Sequence, residues 1–177
     1  FDEMEIYQKT KSCSMICSPK SRTKGHQFRL EIADQLKDKI DLFGGAHGSQ
    51  RIGQGIGPSG DWWRSKLPAL KDYRFSVTFE NAVYDKYYTE KITDCFATGT
   101  IPIYWGCPNF NNYFDPNGYI TFDTIEQLAE IVNNLTPEYY YDRLDIIEKN
   151  YKSALYYGDF FFRINEILEQ IVTHNNI

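Results

Sequence analysis

The chain has 177 residues, 42% of them hydrophobic, which is enough to bury the core of one globular domain, with or without a helical appendage. Its formal net charge of −5 argues against a general nucleic-acid-binding protein, because such proteins are normally basic. No apolar run approaches the ~20 residues of a membrane-spanning helix, and no signal peptide is evident. The sequence begins with Phe1 rather than Met, so we expect it to be part of a longer protein.

Cysteine and histidine spacing predicts neither a metal site nor a disulfide framework. The four cysteines lack paired Cys-x-x-Cys spacing, and the three histidines (His26, His47 and His174) have no metal-ligand spacing. No Asp-x-Asp motif occurs, so a divalent cation of the kind that accompanies many nucleotide sugars is not indicated. Cys13 and Cys17 flank a short apolar run and would share one face of a strand. Buried free thiols are therefore predicted.

Strand and helix patterns alternate along the chain. In order, the sequence predicts a strand at 12–18, a helix at 23–38, a strand at 39–43, a glycine-rich loop at 44–60, a short helix at 62–70, a strand at 75–79, a helix at 89–98, strands at 101–105 and 119–122, and helices at 123–134, 137–155 and 160–172. The alternation indicates an α/β, Rossmann-like parallel sheet with helices on both faces and a helical C-terminal tail.

The glycine-rich loop at 44–60 allows two interpretations. It matches neither a Gly-x-Gly-x-x-Gly fingerprint nor a Walker loop. A simple flexible connection is the favoured interpretation. The alternative is a loop that closes over bound ligands.

Polar residues follow the strand at 75–79 and open the next helix. Glu80-Asn81 ends the strand, and Thr89-Glu90-Lys91 starts the helix, which places these side chains at the carboxyl edge where open α/β sheets bind nucleotides. Each of three residues also has an ordinary structural explanation. Asn81 is common in turns, Thr89 can act as an N-cap, and the carboxylate of Glu90 interacts favourably with the helix dipole. Lys91 opposes the dipole, which predicts a bound anion beside it.

Arg29 lies in the first predicted helix, within an otherwise apolar stripe. A solvated surface arginine is the usual interpretation, and an inward one could bind a diphosphate with its guanidinium fork. The preceding loop carries Lys20, Arg22 and Lys24, which would either add positive potential or simply be solvated.

Three segments in register resemble the signature of the α-1,3/4-fucosyltransferases, glycosyltransferase family 10. They are Phe79-Glu80-Asn81, Tyr87-Tyr88-Thr89-Glu90-Lys91 and the segment 99–106, within a resemblance that runs from about 13 to 122. The resemblance implies the second, donor-binding domain of a two-domain GT-B enzyme, with GDP-fucose as its donor substrate.

Residue roles follow from the resemblance by motif position. Arg29 and Lys91 would contact the diphosphate. Asn81 and Tyr87 would lie beside the phosphates or the fucose, and Glu90 would accept hydrogen bonds from the ribose hydroxyls. These roles agree with the chemistry of a metal-free site, in which fixed cations stabilise a departing diphosphate.

The resemblance also implies what this chain would lack. Glu80 and Tyr88 are secondary candidates for substrate binding, but no residue here is assigned as catalytic. The family transfers fucose with inversion to a glycan acceptor, here of the GlcNAc or Glc type, and its general base belongs to the other domain. We expect 1–177 to be one donor-binding domain, with 137–177 as a helical appendage. The acceptor-binding domain would lie upstream or on a separate chain, and no cofactor or metal is required.

Two alternatives stay open at the level of sequence. Diphosphate and ribose are common to many donors, so the chain could be a transferase domain for another nucleotide sugar. A non-catalytic nucleotide-sugar-binding module is the second alternative.

Overall fold

The computed structural model describes residues 4–50, 52, 65–158 and 160–174. Within the last range, only the backbone is described at 160–163 and 173–174. Its strands form one parallel sheet in the spatial order β2-β1-β3-β4-β5. The strands are β1 Lys11–Ile16, β2 Asp41–Phe43, β3 Tyr73–Phe79, β4 Ile101–Trp105 and β5 Ile120–Thr121. β2 pairs with one edge of β1, and β3 pairs with the other edge. The topological switch point therefore lies between β1 and β3. Ligands of open α/β sheets bind outside the carboxyl ends of the strands at such a point.

Helices on both faces cover this sheet. They are α1 Lys24–Leu36, α2 Glu90–Phe96, α3 Ile125–Asn133, α4 Pro137–Tyr141, α5 Leu144–Gly158 and α6 Phe160–His174. A threonine caps each of the first four, because its hydroxyl accepts a hydrogen bond from a backbone N–H of the first turn, and these caps are Thr23, Thr89, Thr124 and Thr136.

The alternation of β3 divides the core between the two faces of the sheet. Phe75 and Val77 point towards a cluster that also contains Ile32 of α1 and Leu128 of α3. Thr78 points to the opposite face, where its hydroxyl lies 3.3 Å from the Cys95 thiol of α2. The predicted class, a Rossmann-like α/β fold with helices on both faces and a helical C-terminal region, is confirmed.

A second, largely aromatic cluster fills the space beside α2. Ile92 and Phe96 of that helix pack against Tyr104, Phe110 and Phe114, and the last two rings stack with centroids 4.8 Å apart. Ala154 of α5 also belongs to this cluster, whereas Tyr140 and Ile147 join the cluster on the other face. The segment from α4 to α5 therefore contributes to both cores.

The continuous helix predicted at 137–155 is wrong, because the segment forms two helices. α4 ends at Tyr141, and α5 begins at Leu144. The turn between them directs Tyr140 into the core, where its hydroxyl donates to the Gly99 carbonyl at 2.8 Å. The Arg143 guanidinium stabilises the turn by donating to the Tyr139 carbonyl at 2.9 Å. Tertiary packing thus breaks a helix that carries no internal Gly or Pro.

Other predicted elements differ at their ends or lie partly outside the described residues. The strand predicted at 39–43 begins only at Asp41, because the amides of Lys39 and Ile40 both donate to Leu36 at the end of α1. In the predicted loop 44–60 the described part contains a short turn, Ala46–Gly48. In the predicted helix 62–70, residues 62–64 lie outside the described residues, and a 3-10 turn occupies Leu67–Ala69.

The thiols agree with the sequence prediction. All four cysteines are free and buried: Cys13, Cys17, Cys95 and Cys107. Across the described ranges, no three His, Cys, Asp or Glu side chains are grouped so that they could hold a metal ion. The helices in those ranges include none with the length and apolar character needed to cross a membrane.

Candidate functional site

A cavity of about 810 Å³ opens at the carboxyl ends of β1 and β3, at the topological switch point. Ser18 and Pro19 line it after β1, and Asn81 lines it after β3. The starts of α1 and α2 form its other walls. Four of the predicted substrate-binding residues meet here, and these are Arg29, Asn81, Glu90 and Lys91.

Arg29 points inward from α1 and is only 7% exposed. Its Nη2 donates to the backbone and side-chain oxygens of Ser18 at 3.2 and 3.0 Å, and its Nε has no partner. Within the described part of the chain, no carboxylate lies within ion-pair distance of the guanidinium. A buried charge held only by neutral oxygens is costly, so this site favours the arrival of an anion.

The carboxylate of Glu80 lies beside Lys91 and offsets the unfavourable interaction of the lysine with the helix dipole. Its Nζ lies 3.3 Å from Oε2 of Glu80 and 2.7 Å from the Thr89 hydroxyl. Glu80 therefore supplies an anion that accounts for a lysine at this helix start, and the predicted bound anion stays a prediction. Lys91 nevertheless lines the cavity, and its side chain keeps 27% of its exposure.

Glu80 stabilises the start of α2 and is not among the residues that line the cavity. Its carboxylate accepts from the Thr89 amide at 2.9 Å and from the Thr89 hydroxyl at 2.8 Å, and its side chain is fully buried. The alternation of β3 explains this placement, since Glu80 continues the set of residues that face α2. The carboxylate thus fixes the position from which Glu90 and Lys91 reach the cavity.

Glu90 belongs to an ion-pair network that sequence reasoning missed. Lys66 lies 3.5 Å from Oε1 of Glu90 and 2.7 Å from Oδ2 of Asp94, and all three side chains line the cavity. Burial raises the pKa of Asp94, and Lys66 opposes the shift. Burial alone would also raise the pKa of Glu90, but Lys66 and Lys91 together hold it below its usual value. No local motif could reveal this pairing, because Lys66 and Asp94 are 28 positions apart.

His26 is a second cavity residue that sequence reasoning did not select. Its imidazole lies in the first turn of α1, is 9% exposed, and has no hydrogen-bond partner at Nδ1. Burial lowers its pKa, and the positive charge of Arg29 lowers it further. The signal that could have identified it is the basic character of this helix start, which has no acidic residue in its first turn.

Tyr87 and Tyr88 are not among the side chains that line the cavity. Tyr88 packs into the second aromatic cluster, with ring centroids 5.2 Å from Phe110 and 5.0 Å from Tyr113. Tyr87 meets the edge of Tyr84 at 6.4 Å in the loop before α2. Their predicted contacts with substrate stay predictions.

Comparison with known proteins assigns this chain to a family. The model of glycosyltransferase family 10 (fucosyltransferase), C-terminal region, matches residues 6–151. An alpha-(1,3)-fucosyltransferase of Helicobacter pylori is 28% identical over 106 residues, which cover 60% of this chain and 21% of that protein. A GDP-fucose protein O-fucosyltransferase 3 of Danio rerio is 35% identical over 82 residues, which cover 46% of this chain and 16% of that protein.

Solved structures agree on the fold. A crystal structure of an alpha1,3-fucosyltransferase with GDP-fucose matches with a TM-score of 0.56 and 24% identity, covering 81% of this chain and 40% of that one. The chain thus spans about a fifth of the Helicobacter pylori relative and two fifths of the solved enzyme. The match to the family model covers most of the sequence, and the chain belongs to glycosyltransferase family 10, where it corresponds to the C-terminal region of the fucosyltransferases.

Proposed function

We propose that this chain is the donor-binding domain of an inverting fucosyltransferase and holds GDP-fucose in the cavity between β1 and β3. Membership of the family supports a fucosyltransferase, and a crystal structure of an alpha1,3-fucosyltransferase of the same fold contains GDP-fucose. The cavity lies at the switch point of the sheet, where nucleotides bind in folds of this class. The acceptor is a glycan hydroxyl, and the acceptor-binding domain lies outside this chain.

The observation that carries the proposal is the state of Arg29. Its guanidinium is buried at the cavity wall, where Ser18 supplies neutral acceptors only and Nε has no partner. A diphosphate would supply the missing negative charge and the missing acceptors together. Lys91 lines the same cavity and would act as a second cation on the diphosphate.

The remaining polar side chains suit the rest of the donor. Glu90 is 60% exposed at the cavity and can accept hydrogen bonds from two ribose hydroxyls. Asn81 presents an amide, which can donate to a phosphate or a sugar hydroxyl. Tyr87 lies in the loop that precedes α2 and would contact the phosphates or the fucose. Glu80 and Tyr88 act indirectly, by holding that loop.

The reaction forms a bond between an acceptor oxygen and the anomeric carbon of fucose, and breaks the bond from that carbon to the diphosphate. The acceptor proton passes to a general base outside this chain. Negative charge develops on the departing GDP, where Arg29 and Lys91 stabilise it without further reorganisation. Each such contact contributes about 2–4 kcal/mol to the transition state.

Isothermal titration of the 177-residue chain with GDP-fucose tests the proposal. We expect saturable binding that weakens about 10- to 100-fold in Arg29→Met, since a charge-assisted hydrogen bond contributes about 1.5–3 kcal/mol. Lys152→Met is the matched control, because that lysine is 70% exposed and pairs with Glu148 along its own helix. Absence of binding by the wild-type chain would overturn the proposal.

Competition experiments separate the alternatives. GDP should displace GDP-fucose, whereas UDP and UDP-sugars should not at comparable concentrations. Equal displacement by UDP would point to a domain for another nucleotide sugar. Binding without transfer, after the acceptor-binding domain of the parent protein is supplied, would favour a non-catalytic module.

A further inference from the structure

We propose that His26 takes up a proton from solvent when a nucleoside-diphosphate sugar enters the cavity, and that the resulting imidazolium then binds the diphosphate. The proposal rests on the proposed function, because it concerns the same cavity, and it adds a cationic ligand and a pH dependence to that site.

The geometry places the imidazole where a phosphate would meet it. His26 follows the cap of α1, its own amide donates to the Thr23 hydroxyl at 3.1 Å, and its ring lines the cavity. Only 9% of the residue is exposed, and Nδ1 has no hydrogen-bond partner. An unpartnered, buried ring nitrogen at the positive end of a 13-residue helix is suited to an anionic ligand.

The groups around the imidazole favour its neutral form in the free protein. Burial acts most strongly to lower the pKa of His26, followed by the positive charge of Arg29 on the same helix. Lys20 in the loop after β1 and Lys91 on α2 act in the same direction. The Asn81 side chain beyond β3 opposes them, but it carries no charge. Among the described residues, the charged groups that shift the pKa of this ring are therefore cations, and they come from three elements.

A bound diphosphate reverses this balance. Its negative charge screens the three cations and attracts the protonated ring, so the pKa of His26 rises on binding. By linkage, the bound state then holds more protons than the free state between the two pKa values. Affinity for the donor should increase as pH falls through this window, by about tenfold for each unit that the pKa rises.

The pKa of His26 can be followed directly by NMR on the wild-type chain. The sequence has only 3 histidines, so each imidazole resonance can be assigned from single variants. GDP-fucose is the suitable probe, because its diphosphate is esterified at both ends and has no proton that titrates near neutrality. We expect saturating GDP-fucose to raise the pKa of His26. An unchanged pKa of His26 in the saturated protein would overturn the proposal.

Titration calorimetry in buffers of different ionisation enthalpy supplies the second measurement. Wild-type protein should take up a fraction of a proton, up to about one, per GDP-fucose bound near neutral pH. His26→Gln should bind more weakly at low pH and take up none. His47→Asn is the matched control, since that exposed histidine has φ 50°, which Asn tolerates, and it does not line the cavity.

The outcomes separate this proposal from the one on which it rests. Binding of GDP-fucose without proton uptake overturns the role of His26 and leaves the donor site intact. No binding of GDP-fucose overturns both. Proton uptake that persists in His26→Gln assigns the linkage to another group and overturns the role of His26.

Discussion

The ammonium of Lys91 lies 3.3 Å from a carboxylate oxygen of Glu80, and the Glu80 side chain is fully buried. The same carboxylate accepts two hydrogen bonds from Thr89, the cap of α2. The lysine that faces the cavity is therefore positioned by a residue that does not line the cavity. Three polar groups, joined between the end of β3 and the start of α2, fix this wall before any ligand arrives.

Neutralising Glu80 should loosen the start of α2. Glu80→Gln keeps the shape of the side chain but removes the charge that holds Lys91. It also replaces one of the two oxygens that accept hydrogen bonds from Thr89 with an NH2 group, which cannot accept. We expect the free energy of unfolding to fall by about 1.5–3 kcal/mol, as for the loss of charge-assisted hydrogen bonds. Urea denaturation followed by circular dichroism measures this change.

The matched control for this change is Glu130→Gln, on the exposed side of α3. It removes the same charge and should alter stability by less than about 0.5 kcal/mol. Equal effects of the two substitutions would contradict the anchoring role of Glu80.

Gly25 sets the close approach between α1 and the end of β3. A Cβ at this position would lie 2.7 Å from the backbone oxygens of both Glu80 and Asn81. Gly25→Ala should therefore lower the free energy of unfolding by about 1–3 kcal/mol through overpacking, although Ala favours a helix by about 1 kcal/mol. Thermal and urea unfolding measure the effect.

Gly158→Ala in α5 is the corresponding control, because a Cβ there meets nothing within 4 Å. This substitution should leave stability unchanged or raise it by up to about 1 kcal/mol. If Gly25→Ala and Gly158→Ala change stability by the same amount, helix propensity explains both changes and the close contact of Gly25 with the end of β3 does not.

The fold was predictable from sequence wherever local chemistry determines it. β4 is a buried and largely apolar run, apolar and polar residues alternate in β3, and threonine caps mark the starts of four helices. The break between α4 and α5 was not predictable, since Asp142 and Arg143 are compatible with a continuous helix. It arises because Tyr140 reaches the Gly99 carbonyl, a contact across 41 positions.

The residues of the candidate site were also predictable only where a local sequence pattern determines their position. Asn81, Glu90 and Lys91 lie in short motifs beside strand and helix ends, so a sequence pattern suffices to locate them. Lys66 was missed because its partner Asp94 is 28 positions away. Glu80 was located correctly at the strand end, but its anchoring contacts depend on the direction of the side chain, which only the register of the sheet reveals.

The Lys66 and Asp94 pair should behave as a coupled unit. Their side chains are only 17% and 13% exposed and lie 2.7 Å apart, so removal of one charge leaves the other poorly compensated. Lys66→Met and Asp94→Asn should each lower stability, and the double variant should lose less than the sum. We expect a coupling energy of about 1–3 kcal/mol from the double-mutant cycle.

The same variants test the cavity in opposite directions. Lys66→Met removes a positive charge from the cavity wall and should weaken GDP-fucose binding, whereas Asp94→Asn removes a negative charge and should strengthen it. Titration at low and moderate ionic strength measures both effects. The difference between the two variants should shrink as salt increases, because added ions screen the exposed part of the cavity. Changes in the same direction would exclude this electrostatic account.

Lys9 is a buried lysine that should make the free energy of unfolding depend on pH. Its Nζ is within 3.2 Å of four acceptors, the carbonyls of Leu70, Lys71 and Thr98 and the Thr100 hydroxyl. Lys9→Met removes the ammonium donor from these four groups and should lower the free energy of unfolding by about 1–3 kcal/mol near pH 7. Lys152→Met, at an exposed position, should change it by less than about 0.5 kcal/mol.

The sign of the pH dependence follows from the folded and unfolded states of Lys9. Burial lowers the pKa of Lys9 in the folded protein to about 7, from an ordinary value of 10.5. Between these values the unfolded chain binds more protons, so the stability of the wild type rises with pH relative to Lys9→Met. Urea denaturation from pH 6 to 10 should show the gap between the two proteins widening above pH 7. A constant gap would mean that the four acceptors keep Lys9 protonated throughout this range.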